Sequence, residues 1–600
     1  MNRFEKRRRL CFRISPLGLL MRQVVVVLAL AIAASAVCGE EVEVDSARHQ
    51  DPRVPLPPTV TVFSPKLKPL WLKALAHAEV DLKRQAAQTI ALAHGRGMPD
   101  LADTAGPLMK TLDAPDQHPV VVLAAARALI ALDARQAAPL LFKHGMEDGL
   151  DVSQLVEPVL AGWDYRPIRK VWLDRLRAPG RSRRLLVLAI RGVGEVGAGE
   201  AGPRLLELAR EPEVAPDVRL EAARTLGKLR AEGLEEEARK LAGDKSSERV
   251  VDRLAAASLL SRHRGDAAES LLLELAVDPE PSVATIALTR LLEIDPMLVI
   301  PIAEETIANG DANVRRLGAR ALVAWRTADA VTLLGPMLDD PHPDVRTYVR
   351  RSLLEMAPDA PLGAPVLNEA LKILAGERWR GLEQASLMMV ALDHKPAVDR
   401  SVELLEFERP EVFVTAAWAL RRLAVPTTLE AMLDKAQRET EKIKASGSRS
   451  LDVDHQLCQL AEAFGQMKYV QAVPLLREYI PKGSPFGEGS RAAAIWALGH
   501  LYADKEEPEL VGLLIRRLND VNPMFPEAEE VRQMSAVSLG RMKAEASLGA
   551  LRRFLNVEGP NAPVGYACGW AVHQITGEPI PQPTLQKTSA IGWFLEPIEG

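Results

Sequence analysis

One stretch recurs along almost the whole chain and limits what the chain can become. In Ala215–Arg230, APDVRLEAARTLGKLR, a turn at Pro216-Asp217 precedes a helix. Val218, Ala222, Leu226 and Leu229 fall at the i, i+4, i+8, i+11 spacing of one apolar helical face. Ala222 and Ala223 are small where a neighbouring helix must come close, and Gly227 thins the far end. Aligned on the position of Val218, further copies begin at Leu82, Val121, Val152, Leu185, Val251, Val283, Val314, Val345, Leu382, Val412, Gln456, Ser490, Val531 and Val564. From Val121 to Val345 the step stays near a two-helix period. Pro158 interrupts the copy at Val152.

Each unit reads as helix, short turn, helix. Pro203–Arg210, Ala330–Leu338 and Ala472–Ile480 are first helices, and the turns carry residues such as Asp278-Pro279 and Asp340-Pro341 that stop one helix and cap the next. No run alternates with a strand period over a useful length. The expected fold is all-α, an α-solenoid of about fifteen stacked helix pairs over residues 71–577. Six hundred residues need no division into globular domains here, because a solenoid grows by stacking.

The pattern D-x-x-V-R-x-x-A-x-x-x-L-G resembles HEAT repeats, in particular the short HEAT-like type of phycobilisome lyases. Asp217-Val218-Arg219, Asn313-Val314-Arg315, Asp344-Val345-Arg346 and Glu530-Val531-Arg532 carry it. Gln456 and Ser490-Arg491 lack the Val, and Leu382-Glu383 lacks the Arg. The resemblance implies a superhelix. Its members include lyase subunits, metal enzymes and plain scaffolds, so it selects no single activity.

The ends follow other rules. Arg7-Arg8-Arg9, the apolar run Val24–Ala34 and Ala34-Ser35-Ala36 form the basic region, core and cleavage site of an export signal over residues 1–36. Export to the periplasm or cell envelope, or secretion, is expected; an uncleaved anchor and a lipidated Cys38 are the alternatives. Residues 37–70 are acidic and then proline-rich, an extended linker outside the stack. Residues 578–600, with Trp593 and Phe594, form a tail expected to cap the last repeat, since terminal repeats need a cover. Cys458 and Cys568 lie about three repeats apart, too far for a disulfide, and read as buried core residues.

Without residues 1–36 the chain holds 68 basic and 79 acidic side chains, a net of −11. That sign argues against general nucleic-acid binding and leaves room only for a local basic patch. The eleven histidines are scattered, with no His-Glu dipeptide and no H-x-x-x-H. Gly192-x-Gly194-x-x-Gly197 follows a helix, not a strand, so it is no phosphate loop. There is no catalytic, cofactor or metal constellation.

Two sets of residues remain as candidate contacts. Arg219, Arg315, Arg346, Arg491 and Arg532 recur after the apolar position. They are either an anion-binding ladder on the inner surface or, by the commoner physics, partners of the acidic turn in an adjacent repeat. Three enlarged turns, Ala445–Asp452, Pro481–Gly489 and Asn519–Glu529, project from one edge and carry Phe486, Met524 and Phe525. They form either a partner-binding rim or insertions whose aromatics fold back on the stack. The reading that results is a scaffold binding a protein partner through its concave face and late loops. A lyase-like enzyme or accessory subunit, and an envelope structural component, are the alternatives.

Overall fold

A computed structural model describes residues 43–53, 59–178, 182–243, 249–555, 562–580, 586–589 and 592–596. The expected export signal lies outside these residues. Fifteen helix pairs stack in chain order, from Leu67–Leu75 with Val80–Gly95 to Leu548–Arg553 with Ala562–Thr576. The unit described first consists of an outer helix, Gly202–Arg210, and an inner helix, Pro216–Leu229. Pro216 sits where a helix needs no N–H. Val218, Ala222 and Leu226 are fully or almost fully buried. Other inner helices are capped by side chains from the preceding turn: Asp311 accepts from the Asn313 and Val314 amides, and His342 from that of Asp344. The helix Leu150–Gly162 continues through Pro158.

The stack curves because its two sides have different thickness. Inner helices pack directly on one another from unit to unit, whereas outer helices hardly meet. Glycine makes the close approach possible. A Cβ at Gly465, Gly499 or Gly540 would fall 2.7, 2.8 or 2.6 Å from the Cα of Ala497, Ser538 or Ala571 on the next inner helix. A Cβ at Gly227 would fall 2.2 Å from the Ser258 carbonyl oxygen, so this glycine sits at a helix crossing rather than merely thinning a helix end. The inner helices therefore line the concave face.

Residues 43–53 are not a detached linker. They lie across the inner helices of the late repeats, with Ala47 and Arg48 buried. Further on, β1 (Thr59–Val62) pairs in parallel with β2 (Gln586–Ser589), Thr59 opposite Gln586 and Val62 opposite Ser589. These two short strands stand outside an otherwise helical molecule. The tail then reaches the first unit, not the last. The Trp593 ring lies 5.8 Å from that of Trp71 and 5.9 Å from that of Phe63, with the Arg96 guanidinium 5.0 Å above it. The Trp71 indole N–H donates to the Phe594 carbonyl at 2.7 Å. Among the described residues no helix pair precedes the first unit, and the tail supplies the acceptor and apolar cover that its buried Trp71 requires.

These straps bound the shape. Fifteen units at about 10 Å each give a contour of roughly 150 Å. From Asp51, held by the late helices, to Leu67 at the start of the stack, the chain spans at most about 55 Å. The solenoid must curl until its late repeats approach its first.

Candidate functional site

The site is the concave surface formed by the inner helices α1 (Pro410–Leu423), α2 (Leu451–Gln466), α3 (Glu488–Leu501) and α4 (Glu529–Arg541). Stacking carries equivalent positions of these helices to the same face. The residue six places after the Val218 equivalent is Trp418 on α1, Glu462 on α2 and Trp496 on α3. Each of the three bonds to the segment 45–51, which holds a 3-10 turn at Ala47–His49.

Asp45 lies over α1 and α2. Its Oδ1 accepts from the Trp418 indole at 2.6 Å and from Arg421 at 2.7 Å, and its carbonyl accepts from Gln459 at 2.8 Å. Burial alone would raise the Asp45 carboxyl, but Trp418, Arg421 and Arg422 more than offset it and hold it below the usual range. Glu462, with no side-chain exposure, accepts from the Ala47 amide at 2.6 Å, from Arg48 at 2.6 Å and from the Ser46 hydroxyl. Arg48 also donates to Glu530 on α4 at 2.7 Å. Asp51 completes the row: its carbonyl accepts from the Trp496 indole at 2.6 Å and from Arg541 at 2.7 Å. Its carboxyl meets His500 at 3.1 Å and Arg541 at 3.0 Å. The His500 hydrogen bond is the main reason that Asp51 stays below the ordinary carboxylate range, while burial pushes the His500 imidazole below 6.5. The surface thus grips a short segment, turned through one 3-10 turn at Ala47–His49, by its backbone carbonyls and amide and by its charged side chains.

The recurring arginines lie elsewhere. Arg219, Arg315, Arg346, Arg491 and Arg532 are all buried between helices. Arg219 donates to the Ala209 carbonyl at the end of its own outer helix and pairs with Asp252 of the next unit. Arg315 forms a two-pronged pair with Asp340, both distances 2.7 Å, and Arg491 does the same with Glu527 at 2.8 and 2.9 Å. Arg346 donates to the Asp340 carbonyl, and Arg532 to the Leu518 carbonyl. They tie units together by capping carbonyls and adjacent acids, and they present no anion site on the inner surface.

The three enlarged turns form a continuous edge. Arg449 in the first donates to the Pro485 carbonyl of the second at 3.2 Å, and Lys482 in the second pairs with Asp520 of the third at 2.7 Å. Phe486 does not belong to a rim: it is buried and stacks on Tyr479 with centroids 4.1 Å apart. Met524 and Phe525 do project, 78% and 72% exposed. Cys458 and Cys568 are buried free thiols, and burial pushes both well above the usual thiol range. Among the described residues no three His, Cys, Asp or Glu side chains gather as a metal site, and no helix is long and apolar enough to cross a membrane.

Sequence reasoning missed the segment 43–53. Its signal was the pairing of acids and one arginine in Glu43–Asp51 with Arg421, Glu462 and Arg541, at positions where the scaffold pattern asks for none of them.

The stacked pairs, curved face and unit-to-unit arginine ties define an α-solenoid of the HEAT-repeat type. A Kap95p structure with RanGDP aligns with a TM-score of 0.51 and 12% identity, over 85% of this chain and 72% of that one. Importin beta (TM-score 0.48, 13% identity) and yeast importin-beta, Kap95p (0.48, 11%), align over the same shares. At such identity the likeness is one of fold. No protein-family model matches the sequence, and no curated protein matches it.

Proposed function

We propose that this protein is an exported scaffold that holds a partner protein against its concave face, with Met524 and Phe525 as a further contact at the late edge. The observation that carries the reading is the segment 45–51. An inner face that binds a short segment of its own chain through the Trp418, Glu462 and Trp496 positions has the chemistry to bind short segments in general. The same face continues through nine earlier inner helices, from Val80–Gly95 to Pro343–Met356. A preformed curved surface also binds with little reorganisation. The basic, apolar and small-residue series in residues 1–36 supports export.

The test is photo-crosslinking in cells of the native host, with a photoreactive amino acid at Leu220 or Tyr348 on inner helices and at Lys240 on an outer one. The expected result is discrete protein adducts from Leu220 or Tyr348 and none from Lys240. Adducts spread evenly over both faces would reject the concave-face reading. Mass analysis of the recovered chain tests export, a start at Val37 being expected.

A further inference from the structure

We infer that the inner face of the early repeats takes an extended acidic segment of the partner protein; this rests on the scaffold reading above and names the chemistry of what is held.

The inference comes from one position followed through the stack. Six residues after the Val218 equivalent, the late repeats carry Trp418, Glu462 and Trp496, which hold the chain's own segment. In the early repeats the same position carries Arg127, Arg191, Arg224, Arg320 and Arg351, all exposed, with Gln88, Pro158, Ala257 and Thr289 in the units between or before them. Equivalent positions on stacked units share a face, so these five guanidinium groups form a row on the concave surface. The surface around them is a groove. Arg224 lines a recess of about 410 Å³ with Leu254, Ser258, Thr285 and Ile286, spanning three consecutive inner helices. Acids are present among the arginines: Glu221 meets both Arg191 and Arg224, Glu195 meets Lys228, Asp311 borders the recess while capping its helix, and exposed Glu355 lies one turn beyond Arg351. The row is a basic strip on a chain that is net acidic.

Spacing selects an extended polypeptide. Neighbouring inner helices lie about 10 Å apart, and an extended chain advances about 3.3 Å per residue. One carboxylate every third, sixth or ninth residue therefore keeps register with arginines one, two or three units apart. The chain's own segment crosses the late helices in a more compact form, with a 3-10 turn at Ala47–His49 between Asp45 over α1 and Asp51 over α3 and α4. It also shows the recognition itself, with the Asp45 carboxylate held by Arg421 at 2.7 Å and Arg422 at 3.5 Å on this face. A partner segment with Asp or Glu at such intervals would continue along the early repeats what residues 45–51 do along the late ones.

The test uses the full-length chain and a fluorescein-labelled poly-L-glutamate of about thirty residues, read by anisotropy, with oligo(dT) of similar length and poly-L-lysine as comparisons. Binding of poly-L-glutamate is expected, weakening as salt rises. The triple variant R127E/R224E/R320E should lower its affinity at least about tenfold, and R127Q/R224Q/R320Q should lower it less. Because all three side chains are exposed, helical circular dichroism should not change; if the Glu variant is impaired in folding, the Gln variant decides. No binding of poly-L-glutamate, or binding that neither variant weakens, overturns the inference. Oligo(dT) binding as tightly as poly-L-glutamate overturns it in favour of nucleic acid. Loss of the acidic preference with inner-face crosslinks intact would remove this inference alone and leave the scaffold reading standing.

Discussion

Arg48 and Glu462 meet at 2.6 Å although 414 residues separate them in sequence. Neither side chain reaches water to any extent, at 8% and 0% exposure, so each depends on the other. This pair fixes the amino-terminal segment to the concave face and makes it part of the solenoid.

Replacing Arg48 by Met should leave Glu462 a buried carboxylate with only the Ser46 hydroxyl, the Ala47 amide and the more distant Arg421. Breaking a buried pair in this way costs about 3–5 kcal/mol. The loss should fall on the segment, not on the stack. Trypsin should cut at Arg53 and Lys66 much faster than in the parent chain, with helical content unchanged. Equal cutting rates would show that the segment is held by something else.

Gly499 is expected to tolerate no side chain. An added Cβ would come within 2.5 Å of the Ser538 hydroxyl oxygen and 2.8 Å of its Cα. Gly499→Ala should destabilise the crossing between α3 and α4 by about 1–3 kcal/mol, seen as a lower unfolding midpoint in urea. Gly549→Ala, where a Cβ meets nothing within 4 Å, is the matched control and should be neutral or slightly stabilising.

The two aromatic loop residues should separate cleanly. Phe486→Ala removes a ring buried against Tyr479 and should cost about 3–5 kcal/mol. Phe525→Ala removes an exposed ring and should leave the midpoint within about 0.5 kcal/mol. A large effect at Phe525 would mean that the third turn is a structural element and not a free edge.

Acid should release the segment. Asp45, Asp51 and Glu530 are held below their ordinary values. For Glu530, burial acts upward but is outweighed by His49 and Arg48. Carboxylates depressed in the fold contribute stability that is complete above the unfolded values of about 3.9–4.3 and is lost as pH falls through the lower folded values. His500 acts in the same direction: burial depresses it, so the unfolded form gains a proton first as pH drops below 6.5. Docking should therefore weaken slightly from about pH 6.5 downward and steeply below about pH 4, where the carboxylate contribution begins to be lost. Hydrogen exchange of residues 43–53 at pH 7.5, 5.5 and 3.5, corrected for intrinsic rates, checks it; protection that survives at pH 3.5 would contradict the assignment.

The helical frame was legible because stacking imposes itself on every unit. Val218, Ala222 and Leu226 repeat with a period that only packing against like neighbours explains. That the recurring arginines pair with the acidic turn of an adjacent repeat was legible, as Arg315 with Asp340 and Arg491 with Glu527 do; that these pairs are buried was not. Contacts outside that period were not legible. Residues 43–53 and 593–594 touch helices hundreds of positions away, and only curvature brings those helices near. Curvature depends on small differences in how closely inner and outer helices approach, summed over fifteen units. Phe486 and Phe525 look alike in sequence, each in a loop rich in Gly or Pro; only the presence of Tyr479 under one ring distinguishes them. The arginine row was hidden by a second arginine that recurs more regularly, at the position of Arg219.

The reach from Asp51 to Arg541, 490 residues along the chain, also sets an order of events. A ribosome adding about 5–20 residues per second needs on the order of 25–100 s to make that interval. Repeats contact only their neighbours and can order as they emerge, whereas the first structured residues must wait for helices made almost last. Every newly made molecule therefore passes through an open stage in which residues 43–53 exist without the helices that hold them. Until then Asp45, Arg48 and Asp51 stand without the charged partners they meet in the finished fold.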